Sequence, residues 1–354
     1  MADKVLVAMS GGVDSSMTAA LLLEQGYECI GATMRLYDAV AYDGCGSSAE
    51  AEMARSVAGR LGIAYRTYDF CDEFAAAVIQ PFISGYLQGQ TPNPCVQCNR
   101  RLKFGRLFEE MEQLGCRYIA TGHYARVSRR ADGQYVLQKA VDPAKDQSYV
   151  LAFLRQEQLP HILLPLGGLM KQEVRRMAAG RGLDNADRAE SQDICFVPDK
   201  DYAGFIERES GAVPPGDFVD GAGAVLGRHR GHIHYTIGQR RGIGIGFGRP
   251  MYVCAKDAAA NTVTLGGAGE LLGSGLLAGE FNWVSGRPPV GRISVGARVR
   301  YHQQEQQAEA EVIDGGLVRV LFAEPQSAIA PGQIVVLYDG DDVLGGGIIR
   351  GALR

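Results

Sequence analysis

The sequence predicts an α/β fold, with a parallel-sheet domain over residues 1–202, a small β-rich central domain over 203–275 and a C-terminal antiparallel β-barrel over 276–354. Three observations carry that expectation. Strand and helix signals alternate through the first half, a glycine loop joins the first strand to the first helix, and from about Tyr202 short β-type runs take over without convincing helices.

Val5 to Met9 is a short apolar run with β-branched members, Ser15 to Gln25 reads as a helix ending at Gly26, and Glu28 to Met34 is a second strand. Ala49 to Leu61 follows as helix and Ala64 to Phe70 as strand, then Phe104 to Leu114 as helix and Arg117 to Thr121 as strand. Such a rhythm calls for a parallel sheet covered by helices, with ligands at the carboxyl ends of its strands. Two segments interrupt it, Tyr37 to Ser48 and Gln88 to Asn99. Both are too long for tight turns and rich in Gly, Pro, Asn and Cys, which marks functional or disordered loops. Gly221-Ala222-Gly223 and Gly242 to Gly248 punctuate the central part. Ala308 to Val312 and Val318 to Phe322 alternate in the last part, with turns at Asp314-Gly315-Gly316 and Asp339-Gly340.

Bulk composition narrows the class. No stretch approaches the ~18 uninterrupted apolar residues of a membrane span, and Met1-Ala2-Asp3-Lys4 runs into a strand without the features of a secretory signal. The expected location is the cytoplasm. Eight cysteines in so long an intracellular chain argue against a disulfide scaffold and leave catalysis, metal or burial. Cys29 and Cys116, in or beside strands, read as packing residues. A net charge of −4 neither demands nor excludes nucleic acid, because binding needs a local basic face. His229, His232 and His234 stand among Arg228, Arg230 and Gly231 and read as an exposed or RNA-facing basic strand rather than a metal site.

Ser10-Gly11-Gly12-Val13-Asp14-Ser15, between a strand and a helix, gathers backbone N–H groups and the positive end of the helix dipole around one point, which suits a di- or triphosphate. It lacks the spacing of a dinucleotide fingerprint and the Lys of a Walker A loop. Instead it resembles the PP-loop of the ATP pyrophosphatase (adenine nucleotide alpha hydrolase-like) superfamily, in which the β- and γ-phosphates leave together. Asp14 could place Mg²⁺ on the phosphates or simply cap the helix. The loop names an activation chemistry and no product. Thr91 to Asn99 adds two thiols, Cys95 and Cys98, in a proline-limited loop before a helix expected to begin near Arg100; that helix end, with Arg100, Arg101 and Lys103, would favour a thiolate. Glu190 to Val197 offers a third, Cys195.

With Asn93-Pro94-x-x-x-Cys98-Asn99, Ala120-Thr121-Gly122-His123-Tyr124, Lys145-Asp146-Gln147-Ser148-Tyr149, Ser191-Gln192-Asp193-Ile194-Cys195-Phe196 and Tyr235 to Gly242 added, the whole length resembles the bacterial tRNA-uridine 2-sulfurtransferases (tRNA-specific 2-thiouridylases). The resemblance implies an ATP-dependent enzyme that thiolates the wobble uridine of the glutamate, glutamine and lysine tRNAs, releasing AMP and pyrophosphate. It implies ATP at Ala8, Met9, Ser10, Gly11, Gly12, Val13, Asp14 and Ser15, with Met34 beside the adenine and Gly122 lining the pocket. Cys195 would carry a persulfide from a sulfur donor, such as a cysteine desulfurase or a sulfur-relay protein, and Cys98 would be the partner nucleophile. Asn93, Pro94 and Cys95 would border the target base. His123, Lys145, Asp146, Gln147, Arg300, Tyr301 and Gln333 would touch tRNA.

Some relatives carry Asp where this chain has Cys95, so no acid–base role is transferred to that position. The substitution assembles Cys95, Cys98 and Cys195, three thiolates that could instead hold an iron–sulfur cluster. Two rival readings remain open at the level of sequence: an amide-forming ATP ligase, which needs an amino-acid pocket, and an RNA-binding protein with a relic nucleotide loop.

Overall fold

The computed structural model describes residues 2–37, 48–183 and 194–354. Cys45 and the Glu190 to Asp193 part of the last motif lie outside the described residues. Strand β1 (Lys4–Ala8) leads through helix α1 (Val13–Glu24) to β2 (Glu28–Arg35), α2 (Ser48–Leu61) and β3 (Ala64–Asp69). A helical stretch follows, with α3 (Cys71–Phe74), α4 (Gln80–Leu87), α5 (Pro94–Gln97) and α6 (Leu107–Gln113), before β4 (Tyr118–Ala120). The hairpin β5 (Arg126–Arg129) and β6 (Tyr135–Gln138), then α7 (Ser148–Leu151), β7 (Ile162–Leu163) and α8 (Lys171–Gly180), complete the first body.

Its sheet runs β3-β2-β1-β4-β7, with every pairing parallel. Chain order moves outward from β1 to β2 and β3, then returns to the other side of β1 with β4. That reversal opens a crevice between the carboxyl ends of β1 and β4, where ligands of open α/β sheets bind. Val5, Leu6 and Val7 of β1 are wholly buried, as expected of a strand covered on both faces.

Past the first body comes α9 (Tyr202–Ser210), a helix where only β-type runs were expected. Its start is set by Asp201, whose side chain accepts from the Gly204 N–H, and it buries Phe205 against Phe82 and Phe196. The central sheet holds β8 (Gly216–Val219), β9 (Val225–His229), β10 (Tyr252–Asp257) and β11 (Thr262–Gly266), in the order β10-β11-β8-β9. His229 and His232 are buried here, contrary to the exposed strand expected of them. Nε2 of His229 lies 3.2 Å from the Asn261 carbonyl, Nε2 of His232 lies 3.1 Å from the Leu87 carbonyl, and His234 pairs with Glu207.

The last six strands are β12 (Leu272–Trp283), β13 (Ile293–Arg298), β14 (Gln306–Val312), β15 (Val318–Ser327), β16 (Ile334–Asp339) and β17 (Asp342–Leu353). They pair antiparallel in the order β12-β15-β14-β13-β16-β17, and β12 pairs again with β17 to close the barrel. Closure removes the sheet edges. One link was not legible in the sequence: hairpin β5–β6 of the first body extends the barrel sheet through Asp342 and Gln138.

A buried charge pair locks the same seam. Asp146, expected on the tRNA surface, has a side chain only 2% exposed; Nη1 of Arg298 on β13 donates to it at 3.0 Å, and it accepts from the Ala140 and Ser148 N–H groups and the Ser148 hydroxyl. An aspartate can be buried only with such compensation. Arg298→Ala strands that carboxylate and is expected to lower stability by about 3–5 kcal/mol, read by urea unfolding; a loss below about 1 kcal/mol is the contrary result.

Candidate functional site

The glycine loop emerges from the carboxyl end of β1 as a stack of constraints. Gly11 has φ +73°, and a Cβ there would lie 2.7 Å from the Glu50 carbonyl oxygen of α2, so glycine is required twice over. Gly12 sits at the N-cap of α1 in extended geometry, and its carbonyl accepts from the Ser15 and Ser16 hydroxyls at 3.0 Å each. The Ser15 hydroxyl oxygen also accepts from the Ser10 N–H at 3.2 Å. Ser10 therefore does not cap the helix; the loop is folded back on Ser15, which leaves the first turn open for an anion.

Across the crevice, Gly122 follows β4. A Cβ there would come within 2.9 Å of the Asp14 carbonyl carbon and the Ser15 nitrogen, so the bare backbone of this loop rests on the first turn of α1. Met9 closes the loop's other flank: its N–H donates to the Ala32 carbonyl at 2.7 Å and its carbonyl accepts from the Thr33 hydroxyl at 2.6 Å. Met34, partly buried, stands near the carboxyl end of β2. Ala8 to Ser15, Met34 and Gly122 are thus gathered at one edge of the sheet.

Asp14 has a task that sequence reading missed. Both its carboxylate oxygens accept from Nζ of Lys171 at 2.8 Å, and Oδ1 accepts from the Tyr124 hydroxyl at 2.8 Å. With no nucleotide bound, its carboxylate is taken up by Lys171 and Tyr124. Lys171 is the first residue of α8, where a cation opposes the helix dipole. That unfavourable placement is a signal only once α8 is known.

The thiols occupy a helix, correcting the expected loop. Asn93 is its N-cap, accepting from the Val96 N–H, and Pro94 takes the first helical position, where its missing N–H is harmless. The helical run continues through a π-helical stretch, Cys98–Arg106, into α6. Cys95 is exposed near the helix start, and Cys98, one turn on, is half-buried against the main core. The expected thiolate at Cys98 is reversed as well. Burial pushes this thiol up to about 11, with Lys103 opposing and Cys95 reinforcing.

Cys195 opens to solvent, yet the protein packed around it, followed by Cys98 and Cys95, pushes its thiol up to about 12. Cys98 and the flanking Ile194 and Phe196 pack in one hydrophobic core, which brings the Cys195 segment beside the thiol helix. Lys103 and Glu50 also act on Cys195, and it is the Glu50 carbonyl that lies against Gly11. Two contacts anchor the segment: the Tyr37 hydroxyl, just past β2, donates to the Cys195 carbonyl at 2.9 Å, and Phe196 packs edge-on against Phe74 and Phe82. Among the described residues no group of three His, Cys, Asp or Glu side chains is arranged to hold a metal ion. Cys29 and Cys116 are buried, as expected of packing residues.

The residues expected on tRNA are largely turned inward. His123 is buried, Nδ1 lies 2.7 Å from the Thr121 hydroxyl, and burial holds its imidazole well below the usual histidine range, so it is neutral. Gln147 accepts from the Tyr124 N–H. Nη2 of Arg300 donates to the Ile237 and Ala328 carbonyls, and Tyr301 packs near Tyr149. Gln333 donates to the Thr91 carbonyl at 2.9 Å, while the Thr91 N–H donates to the Pro331 carbonyl at 2.8 Å. These two bonds fasten the barrel to the segment leading into Asn93. Lys145 remains half-exposed.

Family models match three consecutive parts of the chain: a tRNA methyl transferase HUP domain over 3–199, a tRNA methyl transferase PRC-barrel domain over 203–267 and an aminomethyltransferase β-barrel domain over 273–349. The chain is similar to the tRNA-specific 2-thiouridylases MnmA of Carboxydothermus hydrogenoformans, 49% identical over 98% of this chain and 97% of that one, and of Acetivibrio thermocellus, 48% identical over 98% and 99%. That of Geotalea uraniireducens is 47% identical over 99% and 96%. Among solved structures, the U34-tRNA thiolase NcsA from Methanococcus maripaludis with its [4Fe-4S] cluster is 19% identical over 59% of this chain and 66% of that one, with a TM-score of 0.35, a likeness too slight to bear on chemistry.

Two outcomes are expected of this geometry. Gly122→Val drives a branched side chain into the first turn of α1, and affinity for a non-hydrolysable ATP analogue should fall by at least about tenfold in calorimetric titration, where one such factor is ~1.4 kcal/mol; unchanged affinity would place the phosphates elsewhere. Alkylation of Cys98 and Cys195 by iodoacetamide, followed by peptide mass spectrometry, should accelerate about tenfold per pH unit from pH 7.5 to 9.5, since only the thiolate reacts. A plateau near pH 8 is the contrary result.

Proposed function

The chain belongs to the tRNA-specific 2-thiouridylase family, and from that premise we propose that it adenylates O2 of the wobble uridine in the glutamate, glutamine and lysine tRNAs and replaces that oxygen with sulfur carried on Cys195. Family membership over nearly the full length leaves no place for the amide-forming ligase or the relic-loop protein. The observation that carries the mechanistic reading is the position of Cys195, whose neighbour Phe196 packs against Phe74 and Phe82 in the same core as Cys98.

The chemistry requires that juxtaposition. Oxide is a poor leaving group from a uridine C2 carbonyl, so O2 first attacks the α-phosphate of ATP; the bond to the bridging oxygen breaks, pyrophosphate departs and the N3 proton is released. AMP is then the group that sulfur displaces. ATP binds with its phosphates on the Ser10 to Ser15 turn, where the N–H groups of the α1 first turn can take charge from the departing oxygens.

A persulfide on Cys195 holds sulfane sulfur, which a thiol must reduce. If the Cys98 thiolate attacks Sγ of Cys195, hydrosulfide leaves and adds to C2. If the terminal persulfide sulfur attacks C2 first, Cys98 then attacks Sγ of Cys195 and frees the thiolated base. Both orders end in a Cys98–Cys195 disulfide, which an external dithiol must reduce before the next turnover. The Cys98 thiol, pushed up by burial, must lose its proton at that step.

Asn93, Pro94 and Cys95 form the helix start beside which the target base is received, and Lys145, Tyr301 and Arg300 supply tRNA contacts once the surface adjusts. Cys95 carries no acid–base role in this scheme. The sulfur donor is a persulfide-bearing protein of the cytoplasm, where the tRNA substrates reside. Among the described residues no helix is long and apolar enough to cross a membrane.

Cys98→Ser and Cys195→Ser should each lower 2-thiouridine formation by at least about 100-fold, as expected for loss of a covalent nucleophile, while ATP and tRNA binding stay within a few fold of the parent. The measurement is mass spectrometry of nucleosides from tRNA incubated anaerobically with ATP and a persulfide donor. Thiolated product from Cys195→Ser, supplied with that donor alone, sinks the persulfide route.

A further inference from the structure

The glycine loop presents partial charges only. A helix N-terminus is worth roughly half an elementary charge, whereas a departing pyrophosphate carries several negative charges, and Asp14 in the same first turn adds one more. A formal cation is needed there, and the loop lacks the lysine that other phosphate loops build in. The structure brings one from elsewhere in the chain. Lys171, 7% exposed in its side chain, sets Nζ 2.8 Å from both oxygens of Asp14. Tyr124, two residues beyond Gly122, holds the same carboxylate through its hydroxyl, and the Lys171 ammonium stands 5.5 Å over the Tyr124 ring.

We propose that Lys171 is a catalytic residue of the adenylation step, moving its ammonium group from Asp14 to the departing pyrophosphate when ATP occupies the glycine loop. This rests on the reading that the Ser10 to Ser15 turn receives the ATP phosphates. A lysine stem is flexible enough to redirect its ammonium over a few ångströms without moving the backbone, and the Lys171 backbone is fixed, its N–H donating to Asp142 at 2.9 Å. As uridine O2 bonds to the α-phosphorus, the electron pair of the breaking bond collects on the oxygen bridging to the β-phosphate. The ammonium stabilises that charge and needs to transfer no proton. In the ATP-free state Asp14 holds the lysine in place and Tyr124 orients the carboxylate; Asp14 and Tyr124 are positioning residues.

The test reads sensitivity to the leaving group. Single-turnover release of the diphosphonate is measured, with substrate tRNA, from βγ-difluoromethylene-ATP and βγ-methylene-ATP, whose leaving groups differ in basicity, for the parent enzyme, Lys171→Met and Lys171→Arg. Lys171→Met should slow release by about 100-fold, the scale of losing one preorganised charge on a developing anion, with the KM for ATP changed less than about tenfold. The ratio of difluoromethylene to methylene rates should rise by about tenfold in Lys171→Met, because an unassisted leaving group depends more on its own basicity, and Lys171→Arg should recover part of both losses.

If thermal melting shows Lys171→Met to be unfolded, Asp14→Asn with Lys171→Met, which removes both charges and strands neither, is read by the same ratio. A rate within about threefold of the parent, or a ratio unchanged in a folded variant, overturns the role of Lys171. Failure of the parent enzyme itself to release diphosphonate in response to tRNA overturns the proposed function instead.

Discussion

The close approach of two backbones at the centre of the sheet is the constraint on which the rest depends. Because β4 returns to the side of β1 opposite β2, the turn after β4 must pass over the first turn of α1, and only a residue without a side chain can make that passage, at Gly122. Everything the first turn does follows from this. Its N–H groups face the crevice, Ser10 is drawn back onto Ser15, and the turn after Gly122 delivers Tyr124 to Asp14. A parallel sheet with helices on both faces is what makes the approach rigid, since the centre of β1, Val5 to Val7, is wholly buried and closely packed.

Around that centre the chain assembles chemistry from distant places. The glycine loop comes from the first strand–helix turn, Cys98 from the helix that opens at Asn93, Cys195 from the segment held by Tyr37 and Phe196, and Lys171 from the start of α8. None of these groups is activated at rest. The thiols are held protonated by their surroundings, and Lys171 is held by Asp14. Under the proposed mechanism this arrangement keeps an adenylate and a persulfide, both of which water or oxidant would destroy, from forming before the RNA is in place.

The barrel takes part in this through two seams. Arg298 reaches Asp146 in the body, and Gln333 with Pro331 brackets the backbone of Thr91, two residues ahead of Asn93, the N-cap of the helical run that bears Cys95 and Cys98. Contacts on the barrel are therefore linked to the thiol helix through two hydrogen bonds and a short stretch of chain. Residues expected on the RNA surface by resemblance prove to be partly structural for the same reason: a side chain at a seam between domains has partners before any RNA arrives.

The sequence by itself determined the alternation that builds the parallel sheet, the glycine loop and the alternating strands of the barrel, because each is written in local periodicity or in a run of residues with fixed backbone demands. It also carried Asn93 and Pro94, an N-cap and first-turn pair, although their Gly- and Pro-rich setting reads as a loop. Tertiary structure alone decided the charge state of the thiols, since burial outweighs the nearby lysine. It decided that Asp146 and His123 lie inside, and it paired Asp14 with Lys171. The physical reason is the same in each case: desolvation and ion pairing depend on what lies across the fold from a residue, and no local pattern encodes a neighbour that the topology brings from the far end of the chain.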